Sequence, residues 1–213
     1  MRRGFFGGAF DPIHMAHLRL AEEARMAASL EMVSFIPTHT APHKQSAFAP
    51  YTDRVAMLTS AIDGNPHFDI NQLEAGREGC SYTYDTLTVL RSRYPDDELF
   101  FIIGLDSYYD IPNWYRGDEL FNLASFIVVQ RPGHLRPKSL IAALPEACRL
   151  RFVVEEEAIL RCDNGNSIMF IAGAPMDIAS RDIRHLIANN RSIRYLVPQS
   201  VADYIAQKGL YIS

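Results

Sequence analysis

Residues 3–29, RGFFGGAFDPIHMAHLRLAEEARMAAS, decide the fold class. The short apolar run from Arg3 to Gly7 has the composition of a strand, and it ends in the pair Gly7–Gly8. From His17 to Ser29 the spacing turns helical, with Leu18, Ala21, Ala24 and Ala28 on one face. The order is strand, glycine turn, helix.

Outward from this stretch the alternation continues. Met32–Pro37 (MVSFIP) is a second apolar run, and the polar, proline-containing THTAPHKQSAFAP after it reads as a functional loop. Thr52–Asp63 is patterned as a helix, Phe68–Leu73 as a third strand, and Tyr84–Tyr94 as a helix with Leu87 and Leu90 facing inward. Leu99–Gly104 (LFFIIG) is apolar throughout and bounded by charge and glycine, the signature of a parallel strand covered on both faces; Ser125–Gln130 (SFIVVQ) repeats it. Segment 134–166 predicts insertions or irregular structure, and Arg151–Val154 and Ile168–Ile171 read as short strands. Ser180–Ala188 and Pro198–Lys208 close the pattern as helices, the second opened by Pro198 and followed by Gly209. Strands alternating with helices predict an α/β fold with a doubly wound parallel sheet, its ligand crevice beyond the carboxyl ends of the strands.

Composition bounds what such a sheet does. With 213 residues, 48% apolar and 22% charged, the chain has the make-up of an ordinary soluble protein, and a fold of this length buries about 70% of its unfolded surface without staples. Residues 1–213 read as one domain, its part 178–213 helical. A net charge of −4 lacks the basic surplus of a nucleic-acid binder, so an anionic ligand must meet local positive charge. No apolar stretch approaches the roughly 20 residues of a membrane span. The opening MRRGFFGGAF is too short in its apolar run for a secretory signal, and Cys80, Cys148 and Cys162 are odd in number without a C-x-x-C pair. The expected location is cytoplasmic, with reduced thiols.

The chemistry concentrates at the strand ends. In GGAFDPIHMAH, residues 7–17, Gly7 and Gly8 allow close backbone approach, the helix brings its N-terminus, and His14 and His17, three apart, fall to one side. Glycines, imidazoles and a helix terminus together suit a phosphate. Asp11–Pro12 reads as an aspartate-stabilised turn. In FIIGLDSYYDIPNWY, residues 101–115, Asp106 follows the strand-ending Gly104 and suits ribose hydroxyls, while Trp114 offers a stacking face. Arg131 follows the strand SFIVVQ where a guanidinium suits phosphate, and Lys44 is one of three lysines.

The segment G-G-x-F-D-P-x-H-x-x-H resembles the signature of the nucleotidyltransferase superfamily with the H-x-G-H element; Ala9 stands where a hydroxyl residue is usual and Ala16 where glycine is usual between the histidines. GGAFDPIHMAH, PTHTAPHK, GCSYTYDTL, FIIGLDS with NWY, VVQRPG and IASRDIR occur in the order seen in bacterial nicotinate-nucleotide adenylyltransferases, to which nearly the whole chain is similar. The resemblance implies a Rossmann-like three-layer α/β/α sheet of nucleotidyltransferase type. The implied reaction transfers AMP from ATP to nicotinate mononucleotide, giving nicotinate adenine dinucleotide and pyrophosphate. It implies ATP phosphates at His14, His17, Lys44 and Arg184, with Gly7, Gly8, Phe10, Gly104, Asp106 and Ser180 around the nucleotide. Thr83, Asp106, Trp114, Tyr115 and Arg131 border the mononucleotide, with Mg²⁺ carried on the ATP phosphates. Relatives carry I-S-S-T-x-I-R where this chain has IASRDIR, so Ala179 and Arg181 replace two hydroxyls; Arg181 supplies a substitute charge or points to solvent. The implied partners are these small molecules, with no nucleic acid and no membrane; a homo-oligomer is compatible with the reading.

Other readings weigh against it. His14, His17, His39 and His43 have spacings reminiscent of a zinc site, but that leaves the glycine pair, Asp106 and Trp114 unexplained. A nucleotide-sensing module has no need of so complete a phosphate set. An adenylyltransferase for nicotinamide mononucleotide or phosphopantetheine is the runner-up within the enzyme class.

Overall fold

Apolar runs covered on both faces send alternate residues into two different cores, because strand side chains have a period of two. In the computed structural model, which describes residues 1–40, 48–77, 79–130, 139–174 and 176–212, the central strands do this. Along β1 (Arg2–Gly8), Phe5 enters one core and Phe6 the other; along β4 (Glu98–Gly104), Phe101 and Ile103 part from Phe100 and Ile102; along β5 (Ser125–Gln130), Phe126 and Val128 part from Ile127 and Val129. These strands join β2 (Met32–Pro37), β3 (Phe68–Ile70), β6 (Phe152–Glu156), β7 (Ile159–Cys162) and β8 (Ser167–Ala172) in one sheet ordered β3-β2-β1-β4-β5-β8-β7-β6.

Helices cover both faces, as the alternation predicts. Helices α1 (Met15–Ala27), α2 (Tyr51–Ile62), α6 (Ser180–Ala188) and α7 (Gln199–Lys208) place Ala21, Met57, Leu58, Ile183 and Val201 on one side. Helices α3 (Thr83–Arg93), α4 (Leu105–Asp110) and α5 (Leu120–Leu123) place Leu87, Leu90, Tyr108 and Phe121 on the other. The architecture is a doubly wound, three-layer α/β/α sheet. No helix among the described residues is long and apolar enough to cross a membrane.

The departures are local. Pairings from β3 through β8 are parallel, but β7 runs antiparallel to both β8 and β6, so the sheet ends in a hairpin where irregular structure is expected. Strand β7 has four residues, of which Leu160 and Cys162 point inward, too few for a periodic signal. Strand β3 ends at Ile70 rather than Leu73, since residues 71–77 turn on the Asn71 carboxamide, which accepts from Leu73 N at 3.2 Å. Helix α1 begins at Met15, two residues before its apolar face does.

Two expectations follow. Phe126 packs its ring 5.8 Å from that of Phe101 and 5.1 Å from that of Phe121, so Phe126→Ala should cost about 3–5 kcal/mol in urea unfolding; a loss below about 1 kcal/mol would contradict its place in the core. Cys148 and Cys162 are buried, and burial pushes the Cys148 thiol up to about 11, whereas Cys80 is half-buried. Thiol titration of the native protein at pH 8 should therefore register Cys80 first, with Cys148 and Cys162 reacting only on unfolding.

Candidate active site

Strand order reverses between β1 and β4, because the chain winds from β1 to β2 on one side and from β4 to β5 on the other. Such a switch point opens a crevice at the carboxyl ends. Phe6 is level with Ile102, the last pair of their register, and two residues further each strand reaches a glycine, Gly8 and Gly104. A Cβ at Gly104 would meet nothing within 4 Å, so the crevice is open there; at Gly8 it would lie 3.0 Å from the Phe10 ring. Gly8 thus makes room for Phe10, whose φ of +48° turns its side chain back under the strand.

The Phe10 ring is 2% exposed and stands edge-on to Phe6, Phe35 and His17, so the ring supports His17 from within the core. His14, 1% exposed, is the N-cap residue of α1, and its imidazole stacks on that of His17 with centroids 3.6 Å apart and planes 19° from parallel. The expected free amides are partly occupied: Met15 N donates to Leu196 O at 3.0 Å and His17 N to His14 O at 3.0 Å. The pair borders a half-open cleft that continues past Arg19 and Gln130 to Gly173 and Met176, at the ends of β5 and β8.

The loop between β1 and α1 is held from distant parts of the chain. Arg54 donates to Ala9 O at 2.6 Å, Arg184 to Asp11 O at 2.6 Å, and Ser180 Oγ to Pro12 O at 2.9 Å. Ser180 and Arg184, expected at the ATP phosphates, therefore spend these donors on the loop; the Arg184 guanidinium also lies 4.2 Å over the Phe48 ring. Arg181 is exposed beside Asp182 at 3.3 Å, the solvent-facing of its two readings. Asp11 is more than a turn former. Its buried carboxylate accepts from Phe48 N at 2.7 Å, Ala49 N at 3.2 Å and the Tyr211 hydroxyl at 2.7 Å. Burial, reinforced by this bond, raises the Tyr211 pKa, so the phenol stays a donor.

Of the residues expected around the mononucleotide, Thr83 opens α3, where the capping residue Tyr82 gives the first-turn amides no side-chain bond. The Tyr82 ring lies 4.8 Å from that of Tyr115, which brings the start of α3 beside the segment that holds Trp114. Trp114 is half-buried, its Nε1 donating to Asp110 at 3.2 Å, and Asp106 is exposed in the first turn of α4. Lys44, His43 and Arg131 lie outside the described residues. The His39 ring lies 5.2 Å from that of Tyr51, and among the described residues no three His, Cys, Asp or Glu side chains are grouped to hold a metal ion.

Comparison with known proteins now bears on this geometry. The cytidylyltransferase-like family profile matches residues 5–186. A Trichlorobacter lovleyi protein named "probable nicotinate-nucleotide adenylyltransferase" is 48% identical over 212 residues, 99% of each chain. A Geobacter sulfurreducens protein of the same name is 43% identical over 213 residues, 99% of this chain and 98% of its own. The chain belongs to the nicotinate-nucleotide adenylyltransferase family. The fold of this family member is also that of Plasmodium falciparum nicotinic acid mononucleotide adenylyltransferase complexed with NaAD, with a TM-score of 0.77 at 19% identity over 99% of this chain and 97% of that one.

Sequence reasoning passed over Arg54 and Tyr211. Arg54 did leave a signal, since it falls on the buried stripe of α2 with Met57, Leu58 and Ile62, where an arginine needs fixed acceptors. Burial lowers its pKa, and the charge of Asp11 opposes that shift. Replacing it as Arg54→Met leaves the acceptors Ala9 O and Ala49 O without their donor, and urea unfolding should show a loss of about 1–3 kcal/mol in this family member. An unchanged midpoint would show that the clamp is dispensable.

Proposed function

We propose that this family member transfers the AMP unit of ATP to nicotinate mononucleotide. The observation that carries the reading is the stacked His14–His17 pair, backed by the packed Phe10 and bordering the cleft at the ends of β5 and β8. The mononucleotide phosphate attacks the α-phosphorus of ATP in line. Its oxygen bonds to that phosphorus while the bond to the bridging oxygen breaks, and pyrophosphate departs with the electron pair. A phosphate monoester has its second pKa at about 6, so the nucleophile is largely dianionic at pH 7 and needs no general base. The imidazoles then serve as hydrogen-bond donors and charge partners for the phosphates, strongest as negative charge shifts toward the departing pyrophosphate.

Mg²⁺ belongs to this reading as part of the substrate. The imidazoles at the crevice suit oxyanions, and among the described residues no three His, Cys, Asp or Glu side chains are grouped to hold an ion; in this reading triphosphate oxygens carry it and it offsets their charge. Lys44 and Arg131 are further cationic contacts in this reading. Gly104 and Asp106 border the adenosine or the ribose, Trp114 stacks on the pyridine ring, and the backbone amides at Thr83 and Tyr115 receive the nicotinate carboxylate. Amides in that place favour a carboxylate over a carboxamide, whose NH₂ brings donors against donors. Ser180 and Arg184 act on the phosphates through the loop that they hold.

The deciding experiment is pyrophosphate release with ATP, Mg²⁺ and a panel of nicotinate mononucleotide, nicotinamide mononucleotide and phosphopantetheine. Nicotinate mononucleotide should give by far the highest kcat/KM; equal turnover of acid and amide would remove the carboxylate selection, and a preference for phosphopantetheine would replace the reading. His17→Ala should lower kcat by about two orders of magnitude through loss of one transition-state contact. A kcat near that of the parent protein would take His17 out of the reaction.

A further inference from the structure

Asp11 and Tyr211 are 200 positions apart, and their side chains meet at 2.7 Å inside the protein. Three observations make the contact more than packing. First, Asp11 stands three residues before His14, in a loop whose main chain is neither strand nor helix, so its position is set by side-chain bonds from elsewhere. Second, the Asp11 carboxylate is 4% exposed and ties the histidine loop, of which it is part, to residues 48–49 and to residue 211. Third, Tyr211 adopts φ +64°, a left-handed conformation uncommon for a tyrosine, in delivering its hydroxyl to that carboxylate.

We propose that Tyr211 is a positioning residue for the stacked histidine pair, acting through the Asp11 carboxylate. Its hydroxyl fixes Oδ1 of Asp11 while Arg184 fixes the Asp11 carbonyl, so the residue is held at both its side chain and its backbone. With Asp11 fixed at two points, the three-residue step to His14 is short and the imidazoles keep their place over the end of β1. Without the hydroxyl, the carboxylate keeps its two amide donors but loses the one that ties it to the far end of the chain. The loop then gains freedom in the direction that moves His14 and His17 relative to the crevice. Displacements well under 1 Å suffice to slow a reaction that depends on charges placed against a transition state.

The proposal rests on the adenylyl-transfer reading, and its test separates the two. Tyr211→Phe removes the hydroxyl alone. With Mg²⁺, ATP and nicotinate mononucleotide at 25 °C, it should lower kcat roughly tenfold, the size of one hydrogen bond to a charged group, while KM for the mononucleotide stays within about twofold. Leu160→Ala, a fully buried β7 position in the core on the other face of the sheet, is the control for lost stability. It should depress the melting temperature at least as far as Tyr211→Phe and leave kcat unchanged. In a double-mutant cycle, Asp11→Asn and Tyr211→Phe should be less than additive in kcat. A parent protein that makes no pyrophosphate overturns the functional reading. An active parent whose Tyr211→Phe variant keeps its kcat, or whose loss of kcat is matched by Leu160→Ala, or additive effects in the cycle, overturns the positioning role.

Discussion

A chain that leaves a parallel strand and turns back into a helix passes through a stretch where neither ladder nor helix satisfies its carbonyl groups. Between Ala9 and His14 these carbonyls lie next to the core, where an unpaired one costs about 1–3 kcal/mol. They are satisfied from outside: Ala9 O by Arg54, Asp11 O by Arg184, Pro12 O by Ser180. The helix that follows is tied in the same manner, Met15 N donating to Leu196 O. This requirement explains features that look unrelated in sequence, such as an arginine inside the apolar stripe of α2 and a serine and arginine four apart at the start of α6.

The same bonds set the electrostatics. A chain of net charge −4 has no general field to draw polyphosphates, so positive charge must be local. Two of its arginines, 54 and 184, lie against the loop and the buried Asp11 carboxylate, where their charge supports the scaffold. A buried carboxylate with three hydrogen-bond donors and guanidinium groups nearby is compensated in place. Among the described residues, the stacked imidazoles and Arg19 are the cationic or potentially cationic side chains that line the cleft itself.

Much of the sheet was legible because its evidence is repetitive. LFFIIG and SFIVVQ are apolar at every position, and a run covered on both faces needs no register to be recognised; MVSFIP matches β2 residue for residue. Strand β7, with four residues and an arginine among them, offers no period to read, and its partner β6 is mostly exposed. At the site, the motif brought out His14 and His17, while the contacts of the side chains around them are set by packing. Phe10 sits in the core since its positive φ folds the ring beneath Gly8, and Ser180 and Arg184 turn to carbonyls that no linear pattern identifies as needing donors. Side-chain to backbone bonds over 168 and 173 positions depend on three-dimensional proximity alone.

Those separations have a thermodynamic meaning. The donors to the histidine loop come from 45, 168 and 173 positions away, and the bond from Tyr211 to Asp11 spans 200. The strands β1, β2 and β4 can pair from the first half of the chain, but the loop between β1 and α1 receives the bonds of Ser180, Arg184 and Tyr211 only when α6 and residue 211 are docked against it. A local opening of α6 would cost few buried contacts of the sheet and would release two carbonyls of the loop at once. The geometry of the crevice is therefore less cooperative with the sheet than with the helical segment from Ser180 onward. The precision of the imidazole pair is bounded by how firmly that segment holds, which is the reason a phenol far along the chain can matter to a histidine near its start.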